Sequence, residues 1–184
     1  MILQNVLRIV DPEHASRVSV LATDFARMLF IPEREAELIG IGAQYHDIGK
    51  ISIPLFILQS PKPLTVVQQE MMKRHVEYGL SILSVYNSEE MDVAKTIIAT
   101  HHERWDGTGY PNQLKGEEIP LAGRIVALCD VFDALSSERP YKPAWALGQV
   151  LDYIRYERGK AFDPELTDTF LNMICESASK GKAL

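Results

Sequence analysis

Apolar positions along the chain recur mostly at three- and four-residue intervals, the spacing that places them on one face of an α-helix. From Pro12 to Phe30, Val18, Val20, Leu21, Phe25, Met28 and Leu29 form such a stripe. Asp11 followed by Pro12 predicts an N-cap and a first helical residue, because the N–H that proline lacks has no partner there. Pro32 restarts the chain, and Glu33 to Asp47 predicts a second helix running into His46 and Asp47, with Gly49 ending it. Ile51 to Leu64 carries Pro54, Pro61 and Pro63 among apolar side chains and predicts a packed irregular connector. Thr65-Val66-Val67-Gln68 reads as a capping box that starts a helix, which His75 to Val85 continues or follows. Further helical runs are predicted at Asp92 to His102, Leu121 to Ser137, Trp145 to Tyr156 and Pro164 to Ala178. Between the first two of these, Glu103 to Pro120 is broken by Gly107, Gly109, Pro111, Gly116 and Pro120. No period-2 segment suggests a strand. The pattern predicts an all-α fold, a single-domain bundle of about seven helices spanning residues 1–184.

Composition narrows the options. A chain of 184 residues can bury one sizeable core. Lys and Arg total 19 against 25 Asp and Glu, a net charge of −6, which gives no broad footprint for duplex nucleic acid. Cys129 and Cys175 form no CxxC pair, so neither a disulfide framework nor a thiolate zinc site is expected, and a reducing, cytoplasmic setting is. The first residues, MILQNVLRIVDPEH, lack a basic leader and a small-residue cleavage site. Polar residues interrupt every apolar stretch, so no membrane span is expected.

The five histidines change the picture. His14, His46, His75, His101 and His102 each fall on or at the end of a predicted helix, His46 is followed at once by Asp47, and His101-His102 is a doublet. An aspartate offers two oxygens and can bridge two cations, whereas an imidazole offers one free nitrogen. Histidine with carboxylate suits iron, manganese or zinc better than magnesium or calcium. A lone helical histidine is more often a core or surface residue than a ligand; here the argument is company. Asp130 and Asp133 sit one helical turn apart in the apolar run RIVALCDVFDAL, where an unpaired carboxylate is costly. Asp130 reads as a metal ligand, and Asp133 either as a ligand or as a hydrogen-bonded support. Cys129 beside Asp130 reads as a small buried hydrophobe, and Trp145, Tyr153 and Tyr156 as core or partner surface.

Several stretches, taken in order, resemble the HD-GYP domain, a subgroup of the HD superfamily of metal-dependent phosphohydrolases. They are His14-Ala15-Ser16-Arg17-Val18, His46-Asp47-Ile48-Gly49-Lys50, His75-Val76-Glu77-Tyr78-Gly79 and HHERWDGTGYP from His101 to Pro111. GEEIPLAGRIVALCDVFDALSSERPYK from Gly116 to Lys142 and Ala161-Phe162-Asp163-Pro164 complete the match, which covers residues 14–166. HDIGK alone indicates the wider superfamily; Gly109-Tyr110-Pro111 narrows it. The resemblance implies hydrolysis of cyclic di-GMP to linear pGpG, with onward cleavage to GMP open, by a hydroxide bridging two metal ions, iron or manganese. The metal ligands would be His14, His46, Asp47, His75, His101, His102 and Asp130. Asp47 would bridge one ion held by His14, His46 and Asp130 and another held by His75, His101 and His102. The glutamate that holds a third ion in some members is replaced by Val10, and Glu13 points about 100° away on a helix, so a dinuclear centre is expected.

Lys50 and Asp47 are the catalytic candidates. The resemblance gives Lys50 a contact with the substrate phosphate, the plainer alternative being a lysine that complements a helix C-terminus. Arg139 and Lys142 resemble the family's phosphate binders, with solvated surface cations as the alternative. Gly109, Tyr110 and Pro111 are motif residues whose loop could stack on a base, pack on a partner domain or form a rigid cover. The resemblance also implies receiver, sensory or diguanylate cyclase domains as partners. Three readings stand side by side: a cyclic dinucleotide phosphodiesterase, for cyclic di-GMP or another such as cyclic GMP-AMP; a non-catalytic metal-bound module that binds a dinucleotide or partner domain; and a mononucleotide-directed HD nucleotidase. The filled ligand positions argue against the second, and the GYP and RPYK segments against the third.

Overall fold

A computed structural model describes residues 12–138 and 143–180 of the chain. These residues form an all-α array: α1 (Pro12–Met28), α2 (Glu33–Ala43), α3 (Leu55–Leu58), α4 (Val66–Lys73), α5 (His75–Leu83), α6 (Glu89–Thr100), α7 (Leu121–Ser136), α8 (Leu147–Tyr156) and α9 (Pro164–Ser179). Short 3₁₀ segments lie at Ile48–Ser52 and Gly116–Glu118, and no strand occurs among the described residues. The Asp11 cap and Val10 fall outside them, as do Arg139 and Lys142.

Only part of the apolar stripe predicted for α1 faces the core: Val20 and Met28 are exposed, while Leu21 and Leu29 are partly buried. Val18, Ala22, Phe25 and Ala26 are fully buried, and Phe25 meets Phe170 of α9 edge-on at 5.0 Å while Phe170 meets Phe132 of α7 at 5.5 Å. Cys129 joins this cluster as a buried free thiol, and Cys175 is free and exposed. A smaller cluster of Ile48, Val76, Leu83, Ala94 and Ile98 lies between the 3₁₀ segment, α5 and α6. α1 packs on α2 and α7, α2 on α6, and α5 on both the 3₁₀ segment and α6. Trp145 and Tyr153 pack against the larger cluster, edge to face at 6.0 Å, whereas Tyr156 is exposed.

Capping follows sequence chemistry. The Thr65 hydroxyl accepts from the Gln68 amide and the Gln68 side chain accepts from the Thr65 amide, which closes the expected box. Ser88 starts α6 ahead of the expected Asp92, and Asp163 caps α9 by accepting from the Glu165 and Leu166 amides. Arg74 separates α4 from α5, and a single helical turn, α3, interrupts the proline-rich connector.

The main departure from the sequence pattern is at the second helix. It stops at Ala43, and His46-Asp47 lies on a turn that runs into 3₁₀ structure rather than on the helix. The backbone tightens through bonds from Tyr45 to Gly42, Ile48 to Tyr45 and Lys50 to Asp47, while the His46 ring takes the Ala43 carbonyl. Gly49 therefore does not terminate a helix. It lies inside the 3₁₀ segment against the start of α5, where a Cβ would collide with the His75 carbonyl oxygen and the Gly79 amide. Likewise α6 ends at Thr100, with His101 as its C-cap and His102 just beyond.

Backbone cannot yield as a flexible side chain can. Gly49→Ala is expected to cost roughly 1–3 kcal/mol of stability, as overpacking typically does, read as a lower urea midpoint. An unchanged midpoint would show that the two segments can part without cost.

Candidate metal centre

Five polypeptide segments bring the sequence-predicted ligands together. α1 supplies His14, the turn after α2 supplies His46 and Asp47, the first residue of α5 is His75, the end of α6 supplies His101 and His102, and α7 supplies Asp130. Lys50 comes from the 3₁₀ segment that follows Asp47. Two groups result: His14, His46 and Asp130, and Asp47, His75, His101 and His102, with one ligand atom of each residue within 4.8 Å of the others in its group. Asp47 faces both, with Oδ2 3.3 Å from His46 Nε2 and Oδ1 3.5 Å from His75 Nε2. Asp130 Oδ1 lies 3.1 Å from His14 Nε2 and 3.7 Å from His46 Nε2.

The rings are aimed by their other nitrogens. His46 Nδ1 pairs with the Ala43 carbonyl at 2.7 Å, His75 Nδ1 with the Met72 carbonyl at 2.8 Å, and His101 Nδ1 with the Ile97 carbonyl at 3.0 Å. A carbonyl only accepts, so each Nδ1 carries the proton and each Nε2 presents a lone pair inward. Those Nε2 atoms and Asp47 Oδ1 are buried with no hydrogen-bond partner. Buried polar atoms are rarely left so, and four acceptors converging from three segments fit divalent cations, for which neutral imidazole and carboxylate are natural ligands.

Electrostatics divides the two groups. Burial pulls His75 and His101 below the usual imidazole range and takes His102 down to about 4, so these rings are neutral near pH 7. Burial also opposes the charge on His14, but its hydrogen bonds to Asp130 and Asp133 overcome it and raise the ring to about 9. His46 is raised too, Asp47 outweighing its burial. Burial works against ionised Asp47, yet the Lys50 ammonium in contact with it, and then His46, hold it well below the carboxylate range. Asp130 is lowered in the same way, by His14 and His46.

Asp133 lies at the edge of the cluster as a hydrogen-bonded support, its Oδ2 2.6 Å from His14 Nδ1. Arg17 grips the same carboxylate through Nε at 2.6 Å and a terminal nitrogen at 3.0 Å. The sequence reading gave Arg17 no role, although its place almost one turn after His14 on an amphipathic helix was a usable signal. It also passed over Glu103, which is buried and accepts from the Asn112 amide at 2.7 Å and the Leu114 amide at 3.1 Å. That grip folds the loop back so that Tyr110 stacks on His102, ring centres 4.7 Å apart. Gly109 packs where a Cβ would strike the backbone of Glu103 and Arg104. Ala161 ties the loop down by accepting from the Trp105 amide at 3.1 Å, and Asp163, the α9 cap, pairs with Arg124 at 2.7 Å. Glu13 is exposed, 3.8 Å from Arg17.

His14 makes stability depend on pH. Its folded value of about 9 exceeds the unfolded 6.5, so its pairing with Asp130 and Asp133 stabilises fully below pH 6.5 and is lost as pH rises through about 9. In chelator, the urea midpoint is expected to fall across that interval, and His14→Gln to flatten the fall. Equal slopes in both proteins would refute the assignment.

Comparison with known proteins agrees with this geometry. The HD domain family matches residues 2–166. A 3'3'-cGAMP-specific phosphodiesterase 2 of Vibrio cholerae serotype O1 is 42% identical over 158 residues, covering 86% of this chain and 30% of that protein. The cyclic di-GMP phosphodiesterase response regulator RpfG of Xanthomonas campestris pv. campestris is 45% identical over 155 residues, 84% of this chain and 41% of that protein. The chain thus spans less than half the length of these relatives. Among solved structures, Bd1817, an HDG"Y"P protein from Bdellovibrio bacteriovorus, shares the fold with a TM-score of 0.69 at 17% identity, covering 88% of this chain and 51% of that one. With its motifs in order and their residues gathered at one place, the chain belongs to the HD domain family and is of the HD-GYP type.

Proposed function

We propose that this chain is a metal-dependent phosphodiesterase domain that opens cyclic di-GMP to linear pGpG. The observation that carries the proposal is the set of buried, unpartnered acceptors on His46, His75, His101 and Asp47. In this reading His14, His46 and Asp130 would hold one divalent ion and His75, His101 and His102 another, with Asp47 shared between them. The mixed imidazole and carboxylate set favours iron or manganese. Bound there, the ions would supply positive charge against the phosphodiester and lower the pKa of a water to make it a nucleophile at neutral pH.

The remaining roles belong to the chain itself. Lys50, part-exposed beside Asp47, places an ammonium at the rim of the cluster, where it can contact a non-bridging phosphate oxygen and stabilise charge that grows in the transition state. Asp47 sets the spacing of the two groups. The Tyr110 ring, half-buried and stacked on His102, covers that side of the cluster. Arg139 and Lys142 are assigned as phosphate binders on their sequence motif. We read the chain as one domain acting in the cytoplasm; among the described residues, no helix is long and apolar enough to cross a membrane.

A cyclic GMP-AMP substrate is the second reading, favoured by the 42% identity to the cGAMP-specific Vibrio enzyme. Incubation with each cyclic dinucleotide under reducing conditions, with iron or manganese, separates the two by the linear product formed. Metal retention without turnover of either would instead indicate a binding module. Asp47→Ala is expected to empty the centre, seen as loss of metal per chain, and full retention would remove Asp47 as the bridge. Lys50→Ala is expected to keep its metal while turnover falls roughly 10²–10³-fold, the usual loss for one transition-state donor.

A further inference from the structure

Four of the five histidines sit where α-helices end, begin or turn, and three of these, His46, His75 and His101, hold their Nδ1 on a backbone carbonyl of their own segment. His14 is different. It sits in the first turn of α1, and its Nδ1 pairs with Asp133 on α7 instead, at 2.6 Å. Asp133 is itself held by the two-pronged contact from Arg17, which lies on the same helix as His14. The aim of the His14 ring therefore depends on a carboxylate from another helix, and the position of that carboxylate on an arginine fork.

From this we infer that Arg17 is a positioning residue for one metal position alone: by fixing both oxygens of Asp133 it sets the orientation of His14, and so tunes the ion held by His14, His46 and Asp130 without acting on the ion held by His75, His101 and His102. The inference rests on the metal-binding reading given above. Two observations beyond the hydrogen bonds support it. Asp133 is buried whereas the Arg17 side chain is 42% exposed, so the fork reaches in from the surface. Arg17 and Asp133 also line a cavity of about 890 Å³, with Val20, Phe132, Leu147 and Met173, on the outer side of the His14–Asp133 contact. A planar guanidinium can hold two carboxylate oxygens at fixed angles, which an ammonium cannot. Partners that orient a ligating histidine are typically worth 10- to 100-fold in metal affinity.

The test is a Mn²⁺ titration of the whole chain, following free Mn²⁺ by electron paramagnetic resonance, for the wild type, Arg17→Gln, Arg17→Lys and Asp133→Asn. The wild type is expected to take up two ions. Arg17→Gln and Asp133→Asn are expected to weaken one of them roughly 10- to 100-fold and leave the other unchanged, and Arg17→Lys to recover only part of the loss. Selective loss is the discriminating readout, because a role confined to fold stability would weaken both ions together. A parallel fall at both positions, wild-type binding by Arg17→Gln, or full recovery by Arg17→Lys would each overturn the inference. Failure of the wild type to bind any Mn²⁺ would instead strike the metal-binding reading, and the Arg17 role with it.

Discussion

Everything at the centre of this protein depends on where the second nitrogen of each imidazole goes. A neutral ring has one N–H and one lone pair, and fixing the first aims the second. His46, His75 and His101 fix the N–H on carbonyls three or four residues back, at the ends of α2, α4 and α6, where the Ala43 and Ile97 oxygens also accept the His46 and His101 amides. Termination of α2 and α6 thus supplies the acceptors, and the two core clusters hold the terminated ends together. Burying the resulting lone pairs is unfavourable by itself. The fold tolerates it because apolar contact on the other faces of these segments is extensive and continuous.

The two ligand groups are electrically unlike. Around His75, His101 and His102, burial dominates and the rings stay neutral, whereas around His14 and His46 the carboxylates of Asp47, Asp130 and Asp133 dominate and the rings gain basicity. A cation bound beside His14 would have to displace a proton, whereas one bound among His75, His101 and His102 would meet lone pairs already exposed. The GYP segment belongs to this second, neutral side. Glu103, directly after His102, holds the loop by its backbone, and Tyr110 lays its ring on His102.

Much of this was legible in the sequence. The 3.6-residue period located the helices because most of them bury a single face, and Thr65 and Pro164 marked starts that rest on local chemistry. The residues of the cluster were legible because histidine is scarce and its neighbours follow a known order of motifs. The end of α2 was not legible. Nothing in the apolar pattern from Glu33 to Asp47 signals that backbone hydrogen bonding tightens after Ala43, on the way to a main-chain contact with α5 that no local pattern encodes. Arg17 and Glu103 escaped for a related reason. Each acts on a partner far along the chain or on backbone amides, and a charged residue on a helix or in a loop reads by default as solvated.

The close approach of Gly49 to the first turn of α5 bears on what the protein can hold. The strand of chain carrying His46 and Asp47 and the helix carrying His75 meet main chain to main chain, with no side chain in between. The spacing between these two segments is accordingly set by peptide atoms and not by intervening side chains. Anything larger than hydrogen at position 49 would push the turn that carries His46 and Asp47 away from the helix that carries His75, so the gathering of these three side chains hangs on a contact in which none of them takes part.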